Sequence, residues 1–281
     1  MNALRLDWLF ARLKRVALHA VLIAGAVVAI FPFLWMVLTS LKSYVEASAA
    51  QSFFPTQWLF SNYMEAWNRV GLFPRYFGNT LFMAISTALG VLITSSLAGY
   101  AFARMRFPGR DALFMILLST MMVPFEVTLI PNFLIMRQLH WIDHYEALII
   151  PWTASAFSIF LLRQFFRAIP NELYDAAAID GCNHLRFLWS VVLPLSRPAL
   201  ITSALFTFLG SWNSLMWPLL VTNNPLMRPL QVGLISFTSD AGTDIQYLLA
   251  AVTISIIPVI LIYFFLQHWF IEGIARVGIK G

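Results

Sequence analysis

Long runs without a charged side chain alternate with short polar segments along this chain. Four of the runs lack Lys, Arg, Asp and Glu, and each supplies the roughly 20 residues that a helix needs to cross about 30 Å of hydrocarbon. They cover residues 16–41, 76–103, 198–227 and 245–271. The pattern therefore predicts at least four membrane-spanning helices.

Two further runs bring the predicted number of spans to six. Residues 112–136 hold Glu126 as their only charge, and the short run at 147–162 is extended if Arg163 snorkels to the interface. Prolines inside the runs are compatible with spanning helices, because neighbouring helices and water satisfy the freed carbonyls. The sequence therefore predicts an all-helical membrane protein with a single polytopic domain, residues 1–281. The approximate predicted spans are 16–40, 77–102, 112–136, 145–163, 198–221 and 247–269.

The distribution of positive charge predicts how these spans are oriented. Cytoplasmic segments of membrane proteins carry an excess of Lys and Arg near the ends of the spans. With the N-terminus inside, 13 of the 18 Lys and Arg residues fall on the inner side and the other five on the outer side. We therefore expect both termini, and the segment between the fourth and fifth spans, in the cytoplasm. The same distribution accounts for the net charge of +5 without a nucleic-acid partner.

Composition supports the membrane assignment and argues against an enzyme. The chain is 60% hydrophobic and 11% charged, with a mean hydropathy of +0.76, which lies outside the range of soluble domains. A single cysteine, Cys182, excludes an intrachain disulfide. His140 and His144 lie four residues apart beside Asp143, but lone histidine pairs are usually surface residues, so we expect no metal site. Neither a Ser-His-Asp set nor a paired-carboxylate arrangement is evident, and we expect a transporter subunit.

A short segment between the fourth and fifth predicted spans, 171-NELYDAAAIDG-181, breaks the apolar pattern. Asn171 is the candidate N-cap of a helix, and Glu172 and Asp175 are expected in its first turn, where carboxylates complement the helix dipole. Gly181 is the expected stop. A helix of about nine residues is too short to be stable alone, so it must pack against another surface.

The spacing of this short helix predicts a face with small side chains. Leu173, Ala176, Ala177 and Asp180 follow an i, i+3, i+4, i+7 pattern. A small-sided face suits insertion into a groove of another protein, whereas a helix lying on lipid favours Leu, Phe and Trp. The sequence therefore predicts a docking helix.

The pattern 175-DAAAIDG-181 followed by 193-LP-194 resembles the signature loop of ABC importer permeases. The usual form of that loop is Glu-Ala-Ala, then a Gly and an Ile-x-Leu-Pro. Asp175 stands where the family has Glu. The residues that match are Ala176, Ala177, Asp180, Gly181, Leu193 and Pro194.

A wider resemblance extends over nearly the whole chain. The segments 108-PGR-110, 211-SWNSLMWPLL-220 and 273-GIARVGIKG-281 are similar to those of the carbohydrate-type permeases, the maltose and glycerol-3-phosphate group. The resemblance implies a six-span subunit in a bacterial or archaeal cytoplasmic membrane, with a cytoplasmic coupling helix between spans four and five.

The resemblance implies a mechanical role for this loop, residues 171–197. In such importers the loop helix sits in a cleft of the ATP-binding subunit, and closure of the ATPase dimer switches the central cavity from inward to outward. A short, capped helix suits the transmission of rigid-body motion. The implied coupling residues are Glu172, Asp175, Ala176, Ala177, Asp180 and Gly181.

The resemblance also implies a set of partners. They are a second permease subunit, which family resemblance favours as a different chain, two ATP-binding subunits and an external solute-binding protein. No G-x-x-x-x-G-K-[ST] pattern occurs in the sequence, so the chain is not expected to hydrolyse ATP itself. We expect no cofactor on this chain, and ATP and Mg²⁺ on the partner ATPase.

Three residues are candidates for the transport path. Glu126 is the strongly polar residue inside a predicted span, and intramembrane carboxylates are functional candidates by default. A structural hydrogen bond to a neighbouring helix is the alternative. Trp212 and Asn213 offer an aromatic face and an amide to a sugar, although a hydrogen bond between helices explains Asn213 equally well.

The leading hypothesis is a permease subunit of a binding-protein-dependent ABC importer for a sugar or oligosaccharide. An ABC permease for glycerol 3-phosphate or a polyol is a close alternative. An ion-coupled secondary transporter is another, although such carriers display intramembrane charges and often an internal repeat. A membrane scaffold without a transport path is a further class.

Overall fold

The computed structural model describes the backbone of residues 2–49, 52–69, 71–239 and 242–277, and nearly all of it is helical. The α-helices are α1 Asn2–Ser40, α2 Tyr44–Ala49, α3 Ser61–Arg69, α4 Phe73–Arg104, α5 Arg110–Ser119, α6 Phe125–Gln138, α7 Tyr145–Ile149, α8 Ala156–Ala168, α9 Asn171–Ile179, α10 His184–Phe187, α11 Leu193–Leu195, α12 Arg197–Trp212, α13 Met216–Val221, α14 Leu230–Leu234 and α15 Ile245–Val277. Segments of 3-10 helix lie at Thr120–Met122, Ile150–Trp152, Pro225–Met227 and Ile235–Phe237, and a π-helical segment at Leu188–Val192. Strands β1 Thr238–Ser239 and β2 Gly242–Thr243 pair antiparallel. The expected helical fold is confirmed.

Three helices are long and apolar enough to cross a bilayer by length and composition. They are residues Arg12–Ser40 of α1, the whole of α4 (Phe73–Arg104), and residues Ile245–Gln267 of α15. Three further candidates are pairs of helices bent at a short break: Arg110–Met122 with Phe125–Gln138 at 100°, Tyr145–Trp152 with Ala156–Ala168 at 41°, and His184–Leu195 with Arg197–Trp212 at 84°. Within the described residues there are therefore three candidate spans, or up to six if each bent pair is one span, and the six-span topology stays a prediction.

The continuous helices predicted over 112–136, 145–163 and 198–221 are interrupted in the structure. Val123 is extended, with φ −82° and ψ 115°, because the ring of Pro124 disfavours the α conformation in the residue before it. Pro151 lies in a 3-10 turn between α7 and α8. Because Pro218 has no N–H to donate to the carbonyl of Ser214, the helix is not continuous there, and a break separates α12 from α13.

The chain forms two compact units, residues 1–70 with 237–254 and residues 71–236 with 255–281. In the first unit, Lys42 is fully buried after the end of α1. Its Nζ donates a hydrogen bond of 2.6 Å to the carbonyl of Ser52 and lies 5.0 Å from the ring centroid of Trp35. The buried ammonium is thereby paired with a carbonyl and an aromatic face.

Glu46, in α2 of the same unit, organises the segment that follows it. Its carboxylate accepts hydrogen bonds from the Thr56 N–H and the Ser52 hydroxyl, each at 2.9 Å. Partial burial raises the pKa of this carboxyl, but the hydrogen bonds from Thr56 and Ser52 outweigh that effect and hold the pKa below its usual value. The charged carboxylate therefore stabilises the turn.

In the second unit, α4 packs along both α8 and α12. Close approach to α8 depends on glycine: a Cβ added to Gly99 lies 3.3 Å from the Leu162 Cβ, and one added to Gly90 lies 2.6 Å from the Thr153 Cγ2. One buried cluster, which we call the loop-side cluster, contains Tyr100, Leu162, Phe166, Ile169, Phe187, Leu188, Val192 and Ala199. A second cluster contains Met83, Met136, Ala147, Leu148, Trp217 and Val221. The two clusters lie at opposite ends of α4.

Arg163 differs from the expectation that it snorkels to the interface. The residue is 8% exposed, and its Nε donates to the carbonyl of Phe102 at 3.2 Å. Its guanidinium carbon lies 3.8 Å from the ring centroid of Phe114, and Nη2 lies 3.7 Å from the carboxylate of Asp111. Because α4 and α5 supply a carbonyl, a ring and a charge, the guanidinium is held inside the fold.

Candidate functional site

The helix between α8 and α10, α9, ends where the sequence predicts. Gly181 has φ +76°, and its N–H donates to the carbonyl of Ala178 at 3.0 Å. The N–H of Cys182 donates to the carbonyl of Ala177 at 2.9 Å. These two bonds form a Schellman motif, which satisfies the last carbonyls of the helix and favours glycine at the left-handed position.

The start of α9 differs from the prediction. Pro170 occupies the N-cap position, and Asn171 is the first helical residue, so the expected side-chain cap from Asn171 is wrong. Instead, the Asn171 Oδ1 accepts a hydrogen bond of 2.5 Å from Nη1 of Arg104. Glu172 lies in the first turn, as expected, whereas Asp175 lies one turn further along. The amide oxygen of Asn171, which was expected to cap the helix, is therefore bound by Arg104, a residue distant in sequence.

The two faces of α9 have different surroundings. Tyr174 and Ala177 pack against the loop-side cluster. The prediction that Ala177 shares the outward face is therefore wrong, because Tyr174 is drawn into the aromatic core and Ala177 follows it three residues later. Ile179 is 87% exposed. The exposed residues are Asn171, Glu172, Leu173, Asp175, Ala176, Ala178, Ile179 and Asp180.

Arg104, the last residue of α4, joins α4 to the start of this loop. Its Nε and Nη2 donate to the carbonyl of Phe166 at 3.1 and 2.8 Å, and Nη2 also donates to the carbonyl of Ile169. Phe166 lies in the last turn of α8 and Ile169 directly follows the helix, where carbonyls lack partners within the helix. With the bond to Asn171, one guanidinium therefore connects α4, α8 and α9.

A second polar contact connects α4 to α9 through His184. The hydroxyl of Tyr100 lies 2.8 Å from the Nδ1 of His184, and the hydroxyl of Tyr174 lies 3.3 Å from its Nε2. The imidazole stacks on Tyr174, with ring centroids 5.4 Å apart. No sequence pattern singled out Arg104, Tyr100 or His184, because their partners are far apart along the chain.

A cavity of about 450 Å³ lies elsewhere in the same unit, among α4, α6, α8, α12 and α13. Its hydroxyl-bearing lining residues are Thr87, Ser155, Ser158, Thr207, Ser211 and Ser214, and its aromatic lining residues are Phe125, Trp152, Phe157, Phe206 and Trp217. The remaining lining is aliphatic, apart from Gly210. The cavity therefore combines aromatic faces with hydroxyl groups.

The three residues predicted for the transport path do not line this cavity. Glu126 is exposed at the start of α6, directly after the break at Pro124. Trp212 is 2% exposed and packs on the rings of Phe77 and Phe208. Asn213 donates to the carbonyl of Leu209 at 3.0 Å. A transport role for Glu126, Trp212 and Asn213 stays a prediction.

Metal ligands are scattered in the part of the chain that the structure describes. Within residues 2–49, 52–69, 71–239 and 242–277, no group of three or more His, Cys, Asp or Glu is placed to hold a metal ion. The Nδ1 of His144 lies 2.8 Å from the carbonyl oxygen of Ile142.

Comparison with known proteins places this arrangement in a transport context. Residues 90–276 match the family described as the binding-protein-dependent transport system inner membrane component. The chain is 28% identical to a solved structure, the crystal structure of a bacterial ABC transporter involved in the import of the acidic polysaccharide alginate. That likeness covers 92% of this chain and 97% of the other, with a TM-score of 0.83.

Relatives of known function match most of the chain. The arabinooligosaccharides transport system permease protein AraQ of Halalkalibacterium halodurans is 33% identical over 91% of this chain and 93% of its own. The sn-glycerol-3-phosphate transport system permease protein UgpE of Yersinia pestis is 34% identical over 91% and 94%. The diacetylchitobiose uptake system permease protein NgcG of Streptomyces coelicolor is 32% identical over 89% and 84%. The chain therefore belongs to the family of inner membrane components of binding-protein-dependent transport systems.

Proposed function

We propose that this chain is a permease subunit of an ABC importer that carries a sugar or oligosaccharide across the bacterial cytoplasmic membrane. Its α9 is the coupling helix, which receives motion from a partner ATPase. The observation that carries the proposal is the exposed face of α9, where the almost fully exposed Ile179 lies on the side away from the loop-side cluster. Leu173 of the same helix is also exposed, so α9 offers two apolar side chains, among carboxylates, for a partner protein to cover.

The contacts of α9 support a mechanical role. Arg104 joins the start of α9 to the ends of α4 and α8, and His184 joins Tyr174 to Tyr100 on α4. A force on the exposed face of α9 is therefore passed to α4 through hydrogen bonds and packed rings. In this proposal, docking of the ATPase shifts α9, α4 and α8 together.

The proposed assembly follows from the family. It contains a second permease chain, which we propose to be different from this one, two ATP-binding subunits that use ATP and Mg²⁺, and an external solute-binding protein. The proposed topology has six spans with both termini in the cytoplasm. The coupling residues in this proposal are Glu172, Asp175, Ala176, Asp180 and Gly181, whereas Ala177 packs α9 against the loop-side cluster.

The relatives support a carbohydrate and leave a phosphate ester as the alternative. AraQ and NgcG are named for arabinooligosaccharides and diacetylchitobiose, whereas UgpE is named for sn-glycerol 3-phosphate. An ion-coupled carrier is less well supported, because the carboxylate of Glu126 is exposed at a helix break. We therefore favour the ATP-driven import of a saccharide.

Cross-linking from two adjacent alanines tests the coupling role of α9. In the assembled importer with Cys182→Ala, we expect Ala176→Cys to cross-link to the ATP-binding subunit, because Ala176 is exposed. Ala177→Cys is the matched control, since its side chain packs against the loop-side cluster and should give several-fold less product. Equal yields from both positions, or no product from Ala176→Cys, contradict the proposed contact.

A further inference from the structure

The cavity described above contains a buried hydroxyl without a partner. Thr87, on α4, is 2% exposed and lines the cavity. Among the residues that the structure describes, its Oγ1 has no hydrogen-bond partner. A buried hydroxyl without a partner carries a desolvation penalty, which a ligand hydroxyl at this wall relieves.

Further hydroxyls line the cavity from α12 and from the break that follows it. Thr207 and Ser211 are four residues apart on one face of α12, and Ser214 lies between α12 and α13. Ser158, at the start of α8, is buried and lines the cavity as well. Polar groups therefore come from three helical elements around one space, as is typical of a small-molecule site.

Aromatic rings form the rest of the wall. Trp152 contacts Phe125 and Trp217 edge to face, with ring centroids 5.4 and 5.7 Å apart. The Nε1 of Trp217 donates to the carbonyl of Ala147 at 2.8 Å, so its polar group is already satisfied within the fold. The rings thus present carbon surfaces, which suit the C–H face of a sugar ring, while the hydroxyls suit its edge.

Charge distinguishes between the ligand classes that the relatives suggest. None of the described residues that line the cavity is Asp, Glu, Lys, Arg or His. An unpaired phosphate or carboxylate is costly to bury in such surroundings. The N-terminus of α8 reaches the cavity, but Ser155 Oγ already accepts from the Ser158 N–H at 3.2 Å. A neutral ligand is therefore favoured over an anionic one.

We propose that this cavity is a subsite for a neutral saccharide unit, formed by this chain on the translocation path. The proposal rests on the proposed function and adds a ligand class and a location to it. The volume of about 450 Å³ lies within the roughly 300–1,000 Å³ of small-molecule sites. The subsite binds the hydroxyl groups and the ring faces of a sugar. It excludes glycerol 3-phosphate, because no charged side chain lines it among the described residues.

The first test removes the unpaired hydroxyl from the complete importer in ATP-loaded proteoliposomes. Thr87→Val keeps the shape, and we expect the maximal uptake rate of the transported saccharide to fall about two- to tenfold, the effect of one neutral hydrogen bond. Ser95→Ala is the matched control, because Ser95 Oγ is also buried and unpaired among the described residues of α4 but does not line the cavity. The control Ser95→Ala should leave both uptake and basal ATP hydrolysis unchanged.

The second test fills the cavity without disturbing the fold. Gly210 lines the cavity, and a Cβ added there meets no atom within 4 Å. We expect Gly210→Leu to lower uptake about tenfold or more, because the added side chain overpacks the occupied site. Gly78→Leu is the control, since Gly78 has the same open surroundings and does not line the cavity.

The third test identifies the ligand class. In the Cys182→Ala importer, Ser214→Cys should react with a methanethiosulfonate reagent, and neutral saccharides, including arabinooligosaccharides and diacetylchitobiose, should slow the reaction. Glycerol 3-phosphate should not. Protection by glycerol 3-phosphate, or by none of these compounds, overturns the proposal.

The outcomes separate this inference from the proposed function. If the unaltered complex imports saccharide with ATP, and Thr87→Val and Gly210→Leu import it at the same rate, the proposed subsite is wrong. The proposed importer function is unaffected by that result. If the unaltered complex shows no ATP-dependent import, the proposed function itself fails.

Discussion

At the scale of single residues, the loop helix α9 depends on the backbone conformation of Gly181. A φ of +76° is readily adopted by glycine and costs other residues about 1–2 kcal/mol. Space is not the constraint, because a Cβ added at this position meets nothing within 4 Å. The requirement for glycine is therefore conformational, and packing does not require the absence of a side chain at this position.

Gly181→Ala should accordingly weaken the end of α9 by about 1–2 kcal/mol. We expect the variant to insert and assemble but to show reduced ATP-driven uptake, because the end of the helix is less firmly held. Gly78→Ala serves as the control, since Gly78 lies within α4 with open space around it. Uptake by Gly181→Ala equal to that of the control contradicts this role.

Local residue preferences were predictable in this loop, whereas distant partners were not. Gly181 and Glu172 lie where helix-end preferences place them. Asn171 and Ala177 differ from their predicted roles. The guanidinium of Arg104 binds the Asn171 side chain, and Ala177 packs inward beside Tyr174. Sequence spacing along one helix carries no information about which side chains arrive from another.

At the scale of elements, the ends of α4 and α8 are joined to α9 by one side chain. Arg104 donates to two carbonyls at the end of α8 and to the Asn171 side chain. Hydrogen bonds that involve a charged group contribute about 1.5–3 kcal/mol. Arg104 is therefore expected to be a positioning residue for the loop.

Arg104→Gln should uncouple the loop from α4. We expect basal ATP hydrolysis to persist, while its stimulation by the loaded binding protein falls several-fold. Arg106→Gln is the matched control, because Arg106 is two residues away and exposed. A ratio of stimulated to basal hydrolysis that is the same in both variants contradicts the positioning role.

Helix breaks were only partly predictable from the sequence. The apolar segments themselves were predicted, but their prolines were expected to be accommodated within continuous spans. The angles of 100°, 41° and 84° depend on how the neighbouring helices pack, and no local pattern encodes them. For the same reason the cavity residues were missed: Thr87, Trp152 and Ser214 meet only because three elements converge.

At the scale of the whole molecule, the chain carries a candidate path and a candidate coupling surface but no phosphate-binding loop in its sequence. Transport by the proposed mechanism therefore depends on other chains. This dependence distinguishes an importer subunit from a self-sufficient carrier.

Vesicles that contain the purified chain alone should show no saccharide uptake, with or without an ion gradient. Addition of the second permease, the ATP-binding subunits and the loaded binding protein should give uptake that requires ATP and Mg²⁺. Uptake driven by an ion gradient in the chain alone contradicts the proposal and supports a secondary transporter.

The exposure of Ile179 has a consequence for the life of the protein in the cell. In the proposed topology, an unassembled copy exposes Ile179 to the cytoplasm, and a contact surface left uncovered is open to chaperones and proteases. We expect surplus copies to be cleared quickly, so that the amount of this chain follows the supply of its motor subunit.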